Sequence, residues 1–313
     1  MNHNMKLKLR EMQQSSAVFS RIYHKASAIK TKRLMKLSDE EFLKRKFKEN
    51  VGYELNLDNP QTFDEKLQWL KLYDRKPIYT IMADKYRARE YITEKVGKEF
   101  TVPLYGVWNN VDDIDFNKLP NCFVIKCNHD CGGLSICRDK ENFDFEEAEE
   151  KLQKSLRNNY FYVGREWQYK DIKPVILAEE LLVNNDGSPL IEYDFFCFNG
   201  KVRLVTCCWG DRDKGDVHYN DFYDADFNRL NICCNYPKSD KILKKPEMFD
   251  YMKEIAETLA SERVFLRVDI YICNDKPFIG ELTFHHWGGM GVFEPAEWDK
   301  TLGEWLTLPE KKA

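Results

Sequence analysis

The sequence predicts an α+β fold, in which helices pack on antiparallel β-sheets, and three patterns carry this prediction. Two strand-like runs, 265–273 and 277–284, are separated by Asn274-Asp275-Lys276, which has the composition of a hairpin turn. A second pair of strand-like runs meets at Asn199-Gly200, a strong short-range hairpin signal. Elsewhere, apolar residues recur at helical spacing behind capping residues, so helices alternate with these hairpins.

Composition and charge narrow the classes of protein that fit. The 313 residues are 43% hydrophobic, which is enough for one large domain or two modest ones. A net charge of −4 and a pI near 6.0 argue against nucleic-acid binding through bulk charge, since that needs a basic face. No run approaches the roughly 18 apolar residues of a membrane span, and the N-terminus lacks the apolar core of a signal peptide, so we expect a cytoplasmic protein.

The ten cysteines contain no C-x₂-C pair, which is the usual spacing of cysteine-ligated metal. Most lie in apolar, strand-like runs. We expect reduced, buried thiols, and a cysteine-bound metal is the alternative.

The N-terminal part, residues 1–75, is predicted to be a basic helical extension. Residues 1–36 carry nine Lys or Arg against the single acid Glu11, which indicates either a solvated helix or one that docks on anionic lipid or an acidic partner. Two capping patterns follow. Ser38 opens one helix, and Thr62 with Glu65 can form a capping box before the next.

A lysine then stands at a predicted helix start. Asp84 can cap a helix whose first turn presents Lys85, with Tyr86, Ile92 and Val96 facing the core. A strand is expected at 101–108. By itself such a lysine is usually a surface residue, but a second lysine follows within another strand.

That second lysine is Lys126, in the apolar run 122–127, and a loop with two adjacent glycines follows it at 128–133. An ammonium group in an apolar run needs an anion, and backbone N–H groups of the glycine loop can approach one closely, so a phosphate would suit both. The alternative is a lysine on the solvated face of a hairpin. In that case Asn128 and His129 merely hold the loop in shape.

The middle of the chain connects these strands to the C-terminal part. A helix is predicted at 143–158, and the apolar strand 174–182 is interrupted by Glu179-Glu180. Such a strand suits a hinge, and its backbone edge supplies a donor and an acceptor for a planar base. Further strands are expected at 217–223 and 230–234, and further helices at 248–259 and 298–308.

The hairpin at 265–284 is where two acids meet. With a three-residue loop, the register pairs the following residues: Cys273 with Pro277, Asp269 with Glu281, and Arg267 with Thr283. Two facing carboxylates repel unless a cation lies between them, and hard oxygen ligands suit Mg²⁺ bound with phosphates. The alternative is a surface salt-bridge cluster between Arg267 and the two acids.

Six stretches in this order resemble the ATP-grasp superfamily, and in particular its teichuronopeptide-biosynthesis (TupA-like) branch. They are TFDEKLQWLKLYDRKP, ADKYRAREYITEKVG, FVIKCNHDCGG, ILAEELL, FFCFNGK and RVDIYICNDKPFIGELTF. They lie between residues 62 and 284, and the likeness extends over nearly everything from about residue 40 onward. The resemblance implies an ATP-grasp fold with two α+β lobes that clamp ATP between antiparallel sheets. The N-terminal lobe would span 76–183 and the C-terminal lobe, with the metal site, 184–313.

The resemblance also implies residue roles. For the phosphates these are Lys85, Lys126 and the loop residues Asn128, His129, Gly132 and Gly133. For the base and ribose they are Glu179, the backbone of Glu180, Leu181 and Leu182, and Glu192. The metal-binding positions of the family correspond to Asp269, Glu281 and Thr283. The catalytic positions correspond to Arg267 and Lys126. Many relatives have Asn where this chain has Thr283. The resemblance therefore does not decide whether the site binds one Mg²⁺ ion or two.

The function implied is an ATP- and Mg²⁺-dependent carboxylate–amine ligase that works through an acyl phosphate. The family association points to a surface polysaccharide of capsular, teichuronic or O-antigen type, or its precursor, with a carboxylate-bearing sugar and an amine or amino acid as partners. The chain shows no obvious complete N-terminal α/β substrate domain. The resemblance therefore does not identify the residues that bind the acceptor. Peripheral membrane contact through the basic N-terminus is part of this expectation.

Three other functions stay open. The same ATP site could phosphorylate a hydroxyl, as in a small-molecule or sugar kinase. A glycosyltransferase would need a D-x-D metal motif, which Asp211-Arg212-Asp213 spells in a polar stretch. The third is a non-catalytic nucleotide-binding scaffold.

Overall fold

The computed structural model describes residues 36–210 and 217–311, and the chain forms two compact units, 1–56 and 57–313. The basic stretch up to Arg33 and the Asp211-Arg212-Asp213 motif lie outside the described residues. Of the helices in the described part, none is long and apolar enough to cross a membrane.

The first unit contains helix α1, Asp39–Val51. The Ser38 hydroxyl accepts a hydrogen bond from the Glu41 amide, and the Glu41 carboxylate accepts one from the Ser38 amide. This is the capping box that the sequence predicts. The helix ends at Gly52, whose φ of +99° is accessible to glycine.

The helices of the second unit are α2 (Phe63–Tyr73), α3 (Pro77–Ala83), α4 (Ala88–Lys95), α5 (Phe145–Leu156), α6 (Phe161–Gly164), α7 (Phe249–Ala260) and α8 (Glu297–Trp305). Short 3₁₀ turns lie at Lys98–Phe100, Val111–Asp113, Phe116–Lys118, Lys140–Asn142, Trp167–Tyr169 and His286–Gly289. Thr62 and Glu65 form the predicted capping box of α2.

The start of α4 corrects one prediction. Asp84 does not cap a helix. Its carboxylate accepts hydrogen bonds from the amides of Tyr86 and Arg87, which closes a turn, and the helix begins only at Ala88. Tyr86 is 43% exposed and not in the core as predicted, because it points outward from this turn. Lys85 therefore lies in the turn between α3 and α4.

The strands, in chain order, are β1 (Leu104–Trp108), β2 (Phe123–Cys127), β3 (Leu134–Cys137), β4 (Ile176–Glu179), β5 (Glu192–Phe198), β6 (Lys201–Trp209), β7 (Tyr219–Asp224), β8 (Cys233–Cys234), β9 (Phe265–Cys273), β10 (Lys276–Thr283) and β11 (Phe293–Glu294). One antiparallel sheet has the order β1-β4-β2-β3, and α5 packs against it through Leu152. A second antiparallel sheet has the order β10-β9-β5-β6-β7, and β8 pairs with β11. The predicted lobe boundaries (1–75, 76–183 and 184–313) stay a prediction.

The main core lies between the second sheet and α7. Val268, Ile270 and Leu282 of the hairpin join Met252 and Leu259 of α7 there. This is the apolar face that alternation predicts for β9 and β10. Most of the ten cysteines are buried, also as predicted.

The β9–β10 hairpin has the predicted register at its site residues, although its loop differs from the predicted one. The loop is two residues, Asn274 and Asp275, both with positive φ, so Cys273 pairs with Lys276 and the predicted three-residue loop is wrong. A bulge at Gly280 then adds one residue to β10. The two offsets cancel, and the predicted pairs are confirmed: Asp269 with Glu281, and Arg267 with Thr283.

Candidate active site

A row of polar side chains crosses the face of the second sheet that points away from α7. We call it the carboxylate row: Thr206 on β6, Asp194 on β5, Asp269 on β9 and Glu281 on β10. Each is the direct cross-strand partner of the next, and such partners point to the same side of a sheet. Asp194 and Asp269 are 3% and 1% exposed. Three carboxylates thus stand side by side on neighbouring strands.

Arg267 lies two residues before Asp269 on β9, on the same face of the sheet, and it binds the Asp269 carboxylate. Its Nε and Nη2 donate to the two Asp269 oxygens at 2.7 and 2.6 Å. Its Nη1 lies 2.9 Å from His286 Nδ1, so that nitrogen is the acceptor and His286 is neutral. Burial works against the charge of Arg267, yet the neighbouring Asp269 and Asp194 hold its pKa well above the usual value. The salt-bridge alternative is therefore realised for Asp269, but in a buried pair.

Lys85 reaches the outer end of the row. Its Nζ lies 3.1 Å from Glu281 Oε1 and 3.0 Å from the Asp130 carbonyl oxygen. Burial opposes both charges. Even so, Glu281 raises the pKa of Lys85, and Lys85 lowers the pKa of Glu281. Residues from the α3–α4 turn and from the β9–β10 hairpin thus meet in one ion pair.

Lys126 is paired with Glu179 on the first sheet. Its Nζ lies 2.5 Å from Glu179 Oε2, and Arg89 of α4 lies 3.4 Å from the other carboxylate oxygen. The Glu179 carboxylate is 6% exposed and bridges two cations. Beyond it, the Glu180 amide donates to the Pro103 carbonyl, and Leu181 and Leu182 are half-buried. Arg89 was not anticipated from the sequence.

The side chains of Asn128 and His129 are turned inward. Asn128 is fully buried; it donates to Asp84 and to the Lys173 carbonyl and accepts from the Val175 amide. His129 Nε2 lies 3.2 and 3.0 Å from two carbonyl oxygens at the end of α5. These contacts favour the loop-shaping alternative for both side chains.

The two loop glycines differ. A Cβ on Gly133 would lie 2.5 Å from the Ser155 hydroxyl, and its amide already donates to Asp130. Gly132 is exposed, and a Cβ there would meet only Asp130, at 3.7 Å. Gly133 therefore serves close packing on α5, whereas Gly132 is the one whose backbone faces open space.

Glu192 begins β5 and lies opposite Cys208 and Tyr271. An oxygen of Glu192, an oxygen of Asp194 and the Cys208 sulfur lie within 4.8 Å of one another. Burial, reinforced by Asp194, raises the pKa of Glu192 to about 7. Thr283 contributes its hydroxyl to the same face, 3.4 Å from Arg267 Nη2.

Asp194 was missed by the sequence analysis. Its signal was the i, i+2 pair Glu192 and Asp194 in an otherwise apolar strand, which places both acids on one face. The pairing of β5 with β9, which brings Asp194 against Asp269, joins segments far apart in the chain and leaves no local trace.

Negative charge is in excess on this face. Among the described residues, this face carries four acids: Glu192, Asp194, Asp269 and Glu281. The cations that act on them are Arg267, Lys85 and, at Glu281, Lys126, which is already paired with Glu179. Burial accordingly raises the pKa of Asp194 and of Asp269. Oδ1 of Asp194 is buried without a hydrogen-bond partner in the described part of the chain. An excess of carboxylate oxygens with an orphaned oxygen among them fits a hard divalent cation such as Mg²⁺.

Several solved structures are similar to this chain. D-alanine–D-alanine ligase from Bacillus anthracis, complexed with ATP, shares 16% identity over 65% of this chain and 55% of that chain, with a TM-score of 0.39. L-amino acid ligase from Bacillus licheniformis shares 15% over 85% of this chain and 58% of its own, with a TM-score of 0.45. D-alanine–D-alanine ligase from Helicobacter pylori shares 13% identity over 80% of this chain and 70% of its own, with a TM-score of 0.41. The chain thus spans little more than half the length of the first two.

A sequence search among curated proteins finds no match. In contrast, residues 65–307 match the family model described as TupA-like ATPgrasp. That match covers more than half of the chain and includes both sheets, the carboxylate row and the two paired lysines. The chain therefore belongs to the TupA-like ATP-grasp family, and its α+β fold is the ATP-grasp fold that its sequence predicts.

Proposed function

We propose that this protein is an ATP- and Mg²⁺-dependent ligase that joins a carboxylate to an amine. The observation that carries the proposal is the ion pair between Lys85 and Glu281 beside the carboxylate row. It brings a candidate phosphate-binding cation and a candidate metal-binding acid into contact at one place. Family membership supports ATP as the nucleotide.

The lysines act by exchanging partners. Lys85 and Lys126, now paired with Glu281 and Glu179, turn to the phosphate oxygens when the nucleotide enters. Asp269 and Glu281 would hold Mg²⁺, which when bound neutralises phosphate charge and makes the γ-phosphorus more electrophilic. Glu179, the backbone that follows it and Glu192 remain the proposed contacts for base and ribose.

The reaction has two steps. A carboxylate oxygen of the acid attacks the γ-phosphorus and ADP leaves, which gives an acyl phosphate. The amine nitrogen then attacks the acyl carbon and phosphate leaves; the proton lost by the amine ends on that phosphate. Arg267 stabilises the charge of the acyl phosphate, and the loop 128–133 shields it from water.

We further propose that the acid or the amine belongs to a surface-polysaccharide precursor, for example a sugar acid joined to an amino acid. This part of the proposal is supported by the family association alone. A cytoplasmic location, with peripheral membrane contact through residues 1–36, likewise stays a prediction.

The test is turnover of MgATP with a panel of uronic acids and amines. Productive pairs should release ADP and phosphate and give a product whose mass is that of acid plus amine minus water. D269N/E281Q should lose turnover while keeping the fold, and D275N, an acid at the tip of the same hairpin, should retain it.

Two results would contradict the proposal. Transfer of phosphate to a hydroxyl, with no free phosphate released, would make the protein a kinase. Consumption of a nucleotide sugar without ATP would make it a glycosyltransferase.

A further inference from the structure

Asp194 has no part in the reaction as proposed so far, although it lies in the middle of the carboxylate row. Its strand, β5, is flanked by β6 and β9, and Asp269 is its direct partner across the sheet. Cross-strand partners share a face, so the two carboxylates project to the same side. Only 3% of Asp194 is exposed, so water cannot freely solvate its charge.

The two oxygens of this carboxylate are treated differently. Oδ2 accepts hydrogen bonds from the Thr206 hydroxyl at 2.9 Å and the Cys208 thiol at 3.4 Å. Oδ1 has less than 1 Å² of accessible surface and no hydrogen-bond partner among residues 36–210 and 217–311. A buried anionic oxygen without a partner is costly, so a partner is expected from outside the chain.

Arg267 is not that partner. Its Nε and Nη2 are engaged by Asp269 and its Nη1 by His286. Its approach to Asp194 is 3.9 Å, from Nε to the already bonded Oδ2. Arg267 therefore makes no hydrogen bond to Oδ1 of Asp194.

We propose that Asp194 is a ligand of the divalent cation at this site, so that three carboxylates, from Asp194, Asp269 and Glu281, hold the metal. The inference rests on the proposed function, because it assumes that the row binds a metal together with nucleotide. It adds a ligand from β5, a strand outside the β9–β10 hairpin. Hard carboxylate oxygens on three adjacent strands suit Mg²⁺ and its paramagnetic substitute Mn²⁺.

The test uses the full chain with Mn²⁺ and a non-hydrolysable ATP analogue, with free Mn²⁺ measured by electron paramagnetic resonance. D194N keeps the shape of the side chain and removes its charge. It should weaken Mn²⁺ binding roughly tenfold or more. The melting temperature without metal should be unchanged or higher, because an uncompensated buried charge is gone. D275N is the matched control: it removes the charge of an exposed acid at the tip of the β9–β10 hairpin, outside the carboxylate row, so Mn²⁺ affinity should stay close to wild type.

The rival explanation is that Asp194 is only a structural counter-ion of Arg267. It predicts the opposite pair of results for D194N, a lower melting temperature with wild-type Mn²⁺ affinity, and that outcome would overturn the inference alone. Failure of the wild type to bind Mn²⁺ with nucleotide would overturn the proposed function as well.

A second measurement needs no change at position 194. With carboxyl-¹³C aspartate incorporated, ENDOR of Mn²⁺ bound to D269N should still detect a ¹³C coupling, contributed by Asp194. Absence of any such coupling in metal-loaded D269N would refute the ligand role.

Discussion

At the scale of the residue, Asn128 shows how a buried polar side chain prepares a site without touching a ligand. It joins three pieces of backbone: the end of β2, the turn after α3 through Asp84, and the segment at Lys173 and Val175. The turn held in this way carries Lys85, and β2 carries Lys126. The two candidate phosphate-binding lysines are thus positioned through one amide group.

Replacing Asn128 by alanine is expected to destabilise the protein by about 3 kcal/mol, because several buried polar groups lose their partner at once. Urea unfolding of N128A measures this. N142A, at an exposed asparagine, should change stability by less than about 0.5 kcal/mol. Unchanged stability of N128A together with weakened ATP binding would instead return Asn128 to a direct nucleotide contact.

At the scale of the element, the β9–β10 hairpin sets which side chains face each other. Its pairs could be predicted from alternation and an approximate loop, since the side-chain period of a strand is two. The route could not be predicted: the two-residue turn and the bulge at Gly280 are separate deviations that cancel. Asp194 could not be placed either, because the pairing of β5 with β9 joins distant segments.

The bulge makes Gly280 a sensitive position. A Cβ there would lie 2.6 Å from the ring of Tyr271, so G280A should cost roughly 1–3 kcal/mol through overpacking. In a Y271A background the ring is gone, and the cost of G280A should drop below about 1 kcal/mol. Unfolding of all four proteins in a double-mutant cycle measures the coupling; equal costs in both backgrounds would show that the backbone, and not Tyr271, demands glycine.

A buried lysine ties helix α2 to the end of α6 and to the 3₁₀ turn His286–Gly289. Lys71 is 1% exposed and donates to the carbonyl oxygens of Gly164 and Gly288 at 2.9 and 2.6 Å. Burial lowers its pKa to about 8, although Glu166 and Asp64 act in the other direction. The charged form is therefore disfavoured in the folded protein relative to the unfolded chain.

This shift predicts a pH dependence of stability. Between pH 8 and the ordinary lysine pKa of about 10.5, the unfolded chain binds more protons at this residue than the folded protein does, so Lys71 makes stability rise with pH. The full effect is about 3 kcal/mol, at roughly 1.4 kcal/mol per pKa unit. Urea unfolding of wild type and K71M from pH 7.5 to 10 isolates it, because other groups titrate in both proteins. The wild-type curve should climb relative to K71M, and parallel curves would refute the shift.

At the scale of the whole molecule, the candidate site exists only because distant segments fold together. Lys85 and Glu281 are 196 residues apart, and the Lys126–Glu179 pair joins β2 to β4. The two hairpins, the two capping boxes and many of the helices and strands could be predicted because each depends on local spacing, whereas the short helices α3 and α6 were not predicted. Which lysine pairs with which acid could not, since that depends on the assembled sheets. Their mutual pairing explains why nucleotide and metal are expected to enter together: each one alone would leave a buried charge without a partner.

The central claim is that the protein is an acyl-phosphate ligase, and the measurement that tests it most directly follows the oxygen atoms of the acid's carboxylate. The acid that supports turnover is labelled with oxygen-18 in its carboxylate, and the released phosphate is analysed by mass spectrometry. Attack of the carboxylate on the γ-phosphorus predicts that one labelled oxygen appears in each phosphate formed with the amide. Unlabelled phosphate, or label in AMP, would contradict an acyl-phosphate ligase.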